Sequence, residues 1–349
     1  MRVVVIGGTG NLGTHTLRAL AGDPAVDTLL GIARRKPGLD IAKTEWAAAD
    51  VRNDDLTPLL QGADAVVHLA WLFQPTHDPQ ATWEANAVGT SRVLRAVADA
   101  GVGTLVCASS VGAYSPGPKD REVTEDWPTH GWSPAAYSRE KAYVERLLDR
   151  FEIEHPDRRV VRLRPGFVFA KETATEQRRL FAGPFLPGGL VRPGLIPIVP
   201  DLPGLRFQVL HAEDAGDAFH RAVVSKAHGA FNIAADPVVD ADLLAAVLGA
   251  RKVPVPAFAA RAALSLAWHL HLVPASPDLL DLALRVPLMD TTRARSELGW
   301  TPRRTSRDAL EAFLSGLRSG ADAPTPPLSA ETGGPGRTAE IRSGVGRRP

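Results

Sequence analysis

Short apolar runs alternate with helical patterns along the first half of the chain. The runs are rich in β-branched residues and do not alternate cleanly with polar ones, which is typical of strands buried on both faces. Strand and helix in regular order predict an α/β fold with a Rossmann-type, doubly wound parallel sheet. The predicted strands are 2–7, 28–33, 65–70, 104–109 and 160–165, and the predicted helices between them are 12–21, 85–100 and 135–151.

The pattern changes after about residue 170. Residues 183–204, GPFLPGGLVRPGLIPIVPDLPG, are dense in proline and glycine and predict a long structured loop. Helical patterns return at 241–248, 257–272 and 306–317. The last residues contain mainly Gly, Pro, Ser, Ala and charged residues, with little apolar content to support a core.

Composition narrows the class of protein. The chain has 349 residues with 40 basic and 39 acidic side chains, so its net charge of +1 does not indicate a nucleic acid or a membrane surface as partner. Cys107 is the single cysteine, which excludes an intrachain disulfide and a zinc site built on several cysteines. The stretch 257–273 contains Arg261 and two histidines and is too short and polar to span a membrane. No signal peptide is visible, so we expect a cytoplasmic protein.

A glycine-rich loop follows the first predicted strand. Gly7, Gly10 and Gly13 have the spacing GxxGxxG and open a helix. The glycines allow a tight turn and a close backbone approach to a pyrophosphate, which the helix N-terminus attracts with its unpaired N–H groups. A glycine-rich turn without a ligand is the alternative, but the strand before it and the helix after it favour a nucleotide site. The expected contacts are Gly7, Thr9, Gly10, Asn11, Leu12 and Gly13.

The end of the second strand distinguishes NAD from NADP, because an acidic residue there would bind the ribose hydroxyls. This strand ends instead with Arg34 and Arg35. Two guanidinium groups suit a 2′-phosphate, so NADP is favoured over NAD, with a solvated basic turn as the alternative. After the expected third strand, the Asp50 carboxylate can accept from an adenine amino group and the Val51 N–H can donate to the ring, although Asp50 is equally typical of a turn.

Two serines and a tyrosine–lysine pair predict a reacting centre. Ser109 and Ser110 end a buried strand, at the edge where ligands bind in open α/β sheets. Tyr137 and Lys141 follow with the spacing of one helical turn. A serine can hold a substrate oxygen, a tyrosine can exchange a proton with it, and a nearby ammonium lowers the phenol pKa from about 10. This constellation suits hydride transfer between a carbinol carbon and a nicotinamide.

In this order the motifs resemble the extended short-chain dehydrogenase/reductases, and most closely the NAD(P)-dependent epimerase/dehydratase family. The resemblance rests on GGTGNLG at 7–13, Ser110, and Tyr137 with Lys141, and it extends over about residues 1–317. VVHLAW, NAVGT, RLRPGFVFA and FQVLHAEDAGDAF resemble further motifs of the family, in the family's order.

The resemblance implies a role for several of these residues. Ser110, rather than Ser109, aligns with the active hydroxyl, and Asn86 takes the place of a structural and proton-relay asparagine. Tyr137 would be the acid and base, and Lys141 would hold the nicotinamide ribose and tune Tyr137. The remaining cofactor contacts that the resemblance implies are Leu69, Ala70, Pro165, Gly166 and Phe167.

Several activities stay open for a small-molecule substrate. Val111 and Gly112 stand where 4,6-dehydratases of the family carry an acidic pair, so we set dehydration aside. Epimerisation of a nucleotide sugar and NADPH-dependent reduction of a ketone or aldehyde remain, with a non-catalytic NADP-binding regulator as a third alternative. Arg206 is displaced by one position from the arginine of sugar-nucleotide epimerases, which leaves a diphosphate contact open.

Three parts of the chain are expected. Residues 1–170 would form the NAD(P)-binding Rossmann domain, residues 171–318 a substrate-binding region interleaved with the last sheet elements, and residues 319–349 a disordered tail. The resemblance also implies a homodimer, in which helices 86–100 and 135–151 of two copies form a four-helix bundle. Trp71, Leu72 and Phe73 follow a cofactor strand and could wall the substrate site, with plain packing as the alternative.

Overall fold

The structure is a computed structural model, and it describes residues 1–72, 78–182, 195–325 and 327–328. Strands and helices alternate through its first half, as the sequence pattern predicts. In chain order the strands are β1 (Arg2–Ile6), β2 (Thr28–Ala33), β3 (Thr44–Ala48), β4 (Ala65–His68), β5 (Thr104–Ala108), β6 (Glu122–Val123), β7 (Arg159–Pro165), β8 (Phe167–Phe169), β9 (Ile198–Asp201), β10 (Phe207–His211), β11 (Gly229–Ile233), β12 (Ala235–Val239), β13 (Arg251–Pro254) and β14 (Leu288–Met289).

In the first half of the chain the helices of the described ranges alternate with the strands, and in the second half helices contain more of the described residues than strands do. Within these ranges, no helix has the length and apolar character that a membrane crossing requires. They are α1 (Asn11–Ala21), α2 (Thr57–Leu60), α3 (Pro79–Trp83), α4 (Gly89–Asp99), α5 (Ala136–Glu154), α6 (Ala174–Ala182), α7 (Ala212–Val224), α8 (Ala241–Leu248), α9 (Ala257–His269), α10 (Pro277–Arg285), α11 (Thr292–Glu297) and α12 (Ser306–Ser319).

A seven-stranded parallel sheet forms the centre, in the order β11-β7-β5-β4-β1-β2-β3. This arrangement confirms the predicted doubly wound α/β fold. The strand order reverses at β1, which pairs with β2 on one side and with β4 on the other. In open α/β sheets such a reversal leaves a crevice at the carboxyl ends of the strands, where ligands bind.

Each strand of the sheet contributes side chains to two cores. In β1, Val3 and Val5 point toward one core, which α1 and α7 cover, and Val4 and Ile6 point toward the other, which α4 and α5 cover. All four side chains are at most 1% exposed. Because both faces are covered, the strands have no polar face, and this explains why their sequences do not alternate.

The second half departs from the sequence prediction in detail. Part of the predicted loop, 195–204, includes β9, which forms because it pairs in parallel with β13, about fifty residues further along the chain; residues 183–194 lie outside the described residues. β8, β10 and β12 form a small second sheet. Ser319, the first residue of the predicted tail, ends α12, and Thr325 and Leu328 beyond it are buried. Residues 329–349 lie outside the described residues.

The predicted helix 85–100 falls on two consecutive segments, a π-helical turn and α4, and α3 directly precedes them. A π-helical turn, Glu84–Val88, separates α3 from α4. A π-turn holds one more residue than an α-turn and often occurs at functional sites. Here it contains Asn86, whose side chain is completely buried.

Candidate active site

A cavity of about 410 Å³ lies at the carboxyl edge of the sheet, beside the reversal point between β1 and β4. It runs from the glycine loop past the end of β5 to α10. Most of the residues singled out in the sequence line it. These are Gly7, Thr9, Gly10, Asn11, Leu12, Gly13, Arg34, Asp50, Val51, Leu69, Ala70, Ser110, Tyr137, Lys141, Pro165, Gly166 and Phe167.

The glycine loop packs too closely to admit side chains at two of its positions. Gly7 has φ +88°, and a Cβ on it would lie 2.5 Å from the backbone nitrogen of Ala70. A Cβ on Gly13 would lie 2.2 Å from the carbonyl oxygen of Gly7. Glycine is therefore required at both positions, and the loop brings the start of α1 against the end of β4.

The start of α1 suits the pyrophosphate of a dinucleotide. Gly10 is the N-cap and provides no side-chain cap, and the first intrahelical bond runs from the Thr14 N–H to the Gly10 carbonyl at 3.0 Å. The N–H groups before it point out of the helix end toward the cavity. Asn11 Oδ1 is also buried without a partner among the described residues, as expected of an acceptor that a ligand donor would satisfy. The residues present therefore fit NAD(P).

The far end of the cavity carries charged side chains. Arg34 lines it, whereas Arg35 does not. Asp50 accepts from Arg52 Nε at 3.1 Å and Nη2 at 2.7 Å. Burial alone would raise the pKa of Asp50, but the bonds from Arg52 hold it below its usual value. Arg52 also lines the cavity; the sequence patterns did not identify it, although it stands only two residues after Asp50.

The two neighbouring serines have different roles in the structure. Ser110 Oγ accepts from the Gly112 N–H at 2.9 Å and is hydrogen-bonded to Tyr137. Ser109 Oγ instead donates to Glu145 Oε1 at 2.5 Å, inside the protein. Ser110 is therefore the hydroxyl that lies beside Tyr137, in agreement with the resemblance drawn from the sequence.

The charges of the tyrosine–lysine pair differ from the prediction. Burial raises the pKa of Tyr137 to about 12, which outweighs the opposite effect of the bond to Ser110. Burial lowers the pKa of Lys141 to about 8. The Lys141 ammonium donates to the Ala108 carbonyl at 2.8 Å and lies 3.4 Å from the ring centre of Trp71. Desolvation dominates both groups and moves the pKa of Tyr137 upward, opposite to the direction in which a neighbouring ammonium acts.

Asn86 lies behind the cavity wall and does not line the cavity. Its Nδ2 donates to Glu140 Oε2 at 2.7 Å and to the Leu72 carbonyl at 3.1 Å, and its Oδ1 accepts from the Leu72 N–H at 2.6 Å. Thr82 Oγ1 donates to the other Glu140 oxygen at 2.5 Å. Asn86 thus connects the segment after β4 to α5. The sequence patterns did not identify Glu140, a buried carboxylate between Tyr137 and Lys141.

The substrate side of the cavity is mainly apolar. Trp71 and Leu72 line it, as suggested by their position after β4, while Phe73 lies outside the described residues. Arg206 does not line the cavity; its guanidinium donates to the Lys119 carbonyl. Among the lining residues in the described ranges, the cations are Arg34, Arg52 and Lys141. The sequence patterns did not identify the wall formed by Glu176, Gln177, Leu180, Phe181, Leu279, Leu282, Ala283 and Val286.

Histidines and carboxylates do not assemble a metal centre in the part of the chain that the structure describes: no group of three or more His, Cys, Asp or Glu side chains there could hold an ion. His68 contacts Thr90 Oγ1 at 2.9 Å, and burial lowers its pKa to about 3, so it is neutral. His211 accepts from the Glu213 N–H at the start of α7.

Comparison with known proteins identifies relatives across most of the chain. The model of the NAD dependent epimerase/dehydratase family matches residues 3–234. An uncharacterised protein of Mycobacterium tuberculosis is 27% identical over 324 residues, which cover 90% of this chain and 83% of that protein. A UDP-glucose 4-epimerase of Lactobacillus helveticus is 31% identical over 157 residues, covering 42% of this chain and 46% of that enzyme.

The fold also matches solved structures. The UDP-glucose-4-epimerase of Stenotrophomonas maltophila, solved with bound NAD and formylated UDP-arabinopyranose, superposes with a TM-score of 0.69. It is 21% identical, and the match covers 92% of this chain and 98% of that one.

Proposed function

Because the chain belongs to the NAD dependent epimerase/dehydratase family, we propose that Ser110, Tyr137 and Lys141 form the reacting centre of an NAD(P)-dependent oxidoreductase or epimerase. The observation that carries the proposal is the hydrogen bond between Ser110 and Tyr137 at the wall of a cavity that begins at the glycine loop. When bound, NAD(P) supplies the acceptor and donor of a hydride at a carbinol or carbonyl carbon.

The side chains at the reacting centre would handle the proton. Tyr137 Oη takes the proton from the substrate hydroxyl or returns it to the carbonyl oxygen, and Ser110 Oγ holds that oxygen beside it. With its pKa near 12, Tyr137 carries a proton at neutral pH and acts directly as the acid, whereas acting as the base requires it to lose that proton first. Lys141 would contact the nicotinamide ribose, and the start of α1 would hold the pyrophosphate. The apolar wall excludes water from the proton transfer.

Nucleotide-sugar epimerisation is the first candidate for the overall reaction. It is supported by the family and by the relatives whose names describe UDP-sugar 4-epimerases. In such a reaction the same carbon is oxidised and then reduced on its other face, so the cofactor is regenerated without net consumption.

NADPH-dependent reduction of a ketone or aldehyde is the second candidate, because of two observations on the cavity. Arg34 lines the cofactor end, where it suits a 2′-phosphate. The substrate side has an apolar wall, and Arg206, the candidate diphosphate contact, donates instead to the Lys119 carbonyl. A diphosphate would need cations on that side, whereas a carbonyl compound without phosphate would not.

One experiment separates the two candidates. The purified protein is denatured, the released nucleotide is identified, and the native protein is then incubated with UDP-sugars and with ketones or aldehydes. An epimerase should retain cofactor and interconvert two UDP-sugars without change in NAD(P)H absorbance. A reductase should consume NADPH in proportion to the alcohol formed. Conversion of neither substrate class, in the presence of either cofactor, would contradict the proposed function.

We expect Arg34 to select NADP. Replacing Arg34 with alanine should weaken NADPH binding by about tenfold, as expected for losing one charge-assisted bond of ~1.5 kcal/mol, and should leave NADH binding unchanged. Arg35→Ala is the matched control, because Arg35 is exposed and does not line the cavity. Fluorescence titration with both cofactors measures the effect. Tighter binding of NADH than of NADPH to the unaltered protein would overturn the NADP assignment.

We also propose a homodimer through a four-helix bundle. Its support is an apolar outer surface formed by α3, the π-turn and α5, where Trp83, Val88 and Tyr143 are 39–44% exposed and the Trp83 and Tyr143 rings lie 4.8 Å apart. Burial of such a surface between two copies would be favourable. Sedimentation should give twice the chain mass, and a single-chain mass at micromolar concentration would contradict the dimer.

A further inference from the structure

Trp71 covers both reactive side chains of α5. Its ring centre lies 3.4 Å from Lys141 Nζ, and its ring meets that of Tyr137 edge-to-face at 5.9 Å. An ammonium at this distance over an indole face is attracted by the negative face of the ring, and the attraction grows when water is excluded. Lys141 is 3% exposed, so most of its solvation has to come from the protein.

The Lys141 ammonium has three N–H donors. One N–H donates to the Ala108 carbonyl at 2.8 Å, and the ammonium also contacts the face of the Trp71 ring. These two contacts come from the ends of β5 and β4, which are adjacent strands of the rigid sheet. A third donor remains beyond these two contacts, and Lys141 lines the cavity.

The position of Trp71 is in turn fixed from α5 itself. Asn86 binds both backbone groups of Leu72, the next residue, with its amide oxygen and nitrogen at 2.6 and 3.1 Å. Asn86 is held by Glu140, which stands directly before Lys141 in the chain. Helix α5, which carries Tyr137 and Lys141, thus also anchors the segment that places the Trp71 indole over these two side chains.

We infer that Trp71 is a positioning residue, which orients and solvates the Lys141 ammonium for the cofactor ribose and is held in place by Asn86 and Glu140. The inference rests on the proposed function, since it assumes that Lys141 contacts the cofactor. Trp71 acts through Lys141 and through the edge of Tyr137.

Several titratable groups face Lys141. Glu140 and Glu145 on α5 and Cys107 on β5 raise its pKa, against the burial that lowers it to about 8. His68 on β4 is neutral, and Tyr137 carries a proton at neutral pH. Glu145, Cys107, His68 and Tyr137 keep their charges between about pH 6 and 10. Burial raises the pKa of Glu140, and this carboxylate keeps its two neutral donors in every variant that leaves Asn86 intact.

The test follows NADPH binding by its own fluorescence from pH 6 to 10, without any substrate. Lys141 loses its proton as pH rises, so affinity should fall with a midpoint near 8 in the unaltered protein. In Trp71→Leu the ring face is lost and the charged ammonium is less stable, so the midpoint should move down by about one pH unit. Trp71→Phe keeps an aromatic face and should move it by less than half of that.

Two further variants test whether the shift of the midpoint is specific to the contact between Trp71 and Lys141. Trp132→Leu is the matched control, because that indole also covers a cation, Arg285, but does not line the cavity; its midpoint should equal that of the unaltered protein. Asn86→Ala releases Leu72 and also removes one of the two donors to Glu140, so its midpoint should shift in the same direction as that of Trp71→Leu and further. The double variant should shift the midpoint no further than Asn86→Ala alone, since Asn86→Ala already removes the contact of Trp71 with Lys141.

The outcomes separate this inference from the proposed function. A midpoint in Trp71→Leu equal to that of the unaltered protein, or equal shifts in Trp71→Leu and Trp71→Phe, would overturn the role of Trp71 alone. Failure of the unaltered protein to bind NADPH or NADH at any pH would overturn the proposed function, and this inference with it. Circular dichroism melting confirms that each variant is folded before it is titrated.

Discussion

Replacing Tyr137 with phenylalanine is expected to lower turnover by about 10²–10⁴-fold, the usual contribution of a positioned acid or base. The substitution removes only the hydroxyl and its bond to Ser110, and it keeps the ring that packs edge-to-face against Trp71. NADPH binding and the melting temperature should therefore stay close to those of the unaltered protein. Turnover is measured with the substrate found in the UDP-sugar and carbonyl screen.

Tyr143→Phe is the matched control for this change. Tyr143 stands on the same helix, but it is 42% exposed and does not line the cavity. Its variant should retain full turnover. Unchanged turnover in Tyr137→Phe would remove Tyr137 from the mechanism, whereas loss of turnover in both variants would point to damage to α5.

The second large effect is expected on stability, at Glu145. This completely buried carboxylate accepts from Arg164 Nε at 2.9 Å, from Arg162 Nη1 at 3.0 Å and from the Ser109 hydroxyl at 2.5 Å. Glu145→Gln removes the carboxylate that Arg164 and Arg162 share; Arg162 keeps Asp149 and Glu152, so the buried charge left uncompensated is mainly that of Arg164. Breaking a buried ion pair by removing one partner costs about 3–5 kcal/mol of unfolding free energy. Urea unfolding at pH 7 measures the loss.

The pKa of Glu145 determines how the stability loss in Glu145→Gln should change with pH. Burial alone would raise the pKa of Glu145, but the two arginines hold it at about 2, below its usual value near 4.5. Glu145 therefore contributes stability above about pH 4.5, and this contribution is lost as pH falls toward 2. The difference between the unaltered protein and Glu145→Gln should be largest at pH 7 and clearly smaller at pH 3.

The control for stability is Glu154→Gln, on the same helix. Glu154 pairs with Arg150 at 2.7 Å, but both side chains are largely exposed, at 47% and 74%. An exposed pair contributes at most about 1 kcal/mol, so this variant should unfold close to the unaltered protein. A loss in Glu145→Gln that is the same at pH 7 and pH 3 would show that packing, rather than charge, is responsible.

Local patterns in the sequence were sufficient to predict five strands of the central sheet, the glycine loop and the spacing of Tyr137 and Lys141. The five predicted strands exist within two residues of their predicted ends, because burial on both faces leaves a clear apolar signal. The glycine loop and the pair Tyr137 and Lys141 are also local patterns, one a turn with its helix and the other a helical spacing. The family resemblance is confirmed by the family model.

Features that depend on contacts between distant segments were not accessible from the sequence. The apolar wall on α10 comes from more than a hundred residues beyond Tyr137, and no periodicity links the two. Strand β9 was not predicted, because it lies in a proline-rich stretch and depends on its pairing with the distant β13. The raised pKa of Tyr137 was not predicted from the sequence, since spacing reveals a neighbouring charge but not the burial of the phenol.

Ser109 and Ser110 illustrate how finely this site depends on the alignment of β5. Neighbouring residues in extended chain point in opposite directions, so one serine turns inward to Glu145 and the other outward to Tyr137. Inserting or deleting one residue in β5 would exchange them without altering either side chain. Engineers who graft this strand into another scaffold should therefore preserve its length before its composition. The two hydroxyls are chemically identical, and only their positions along the chain decide which one contacts Glu145 and which one contacts Tyr137.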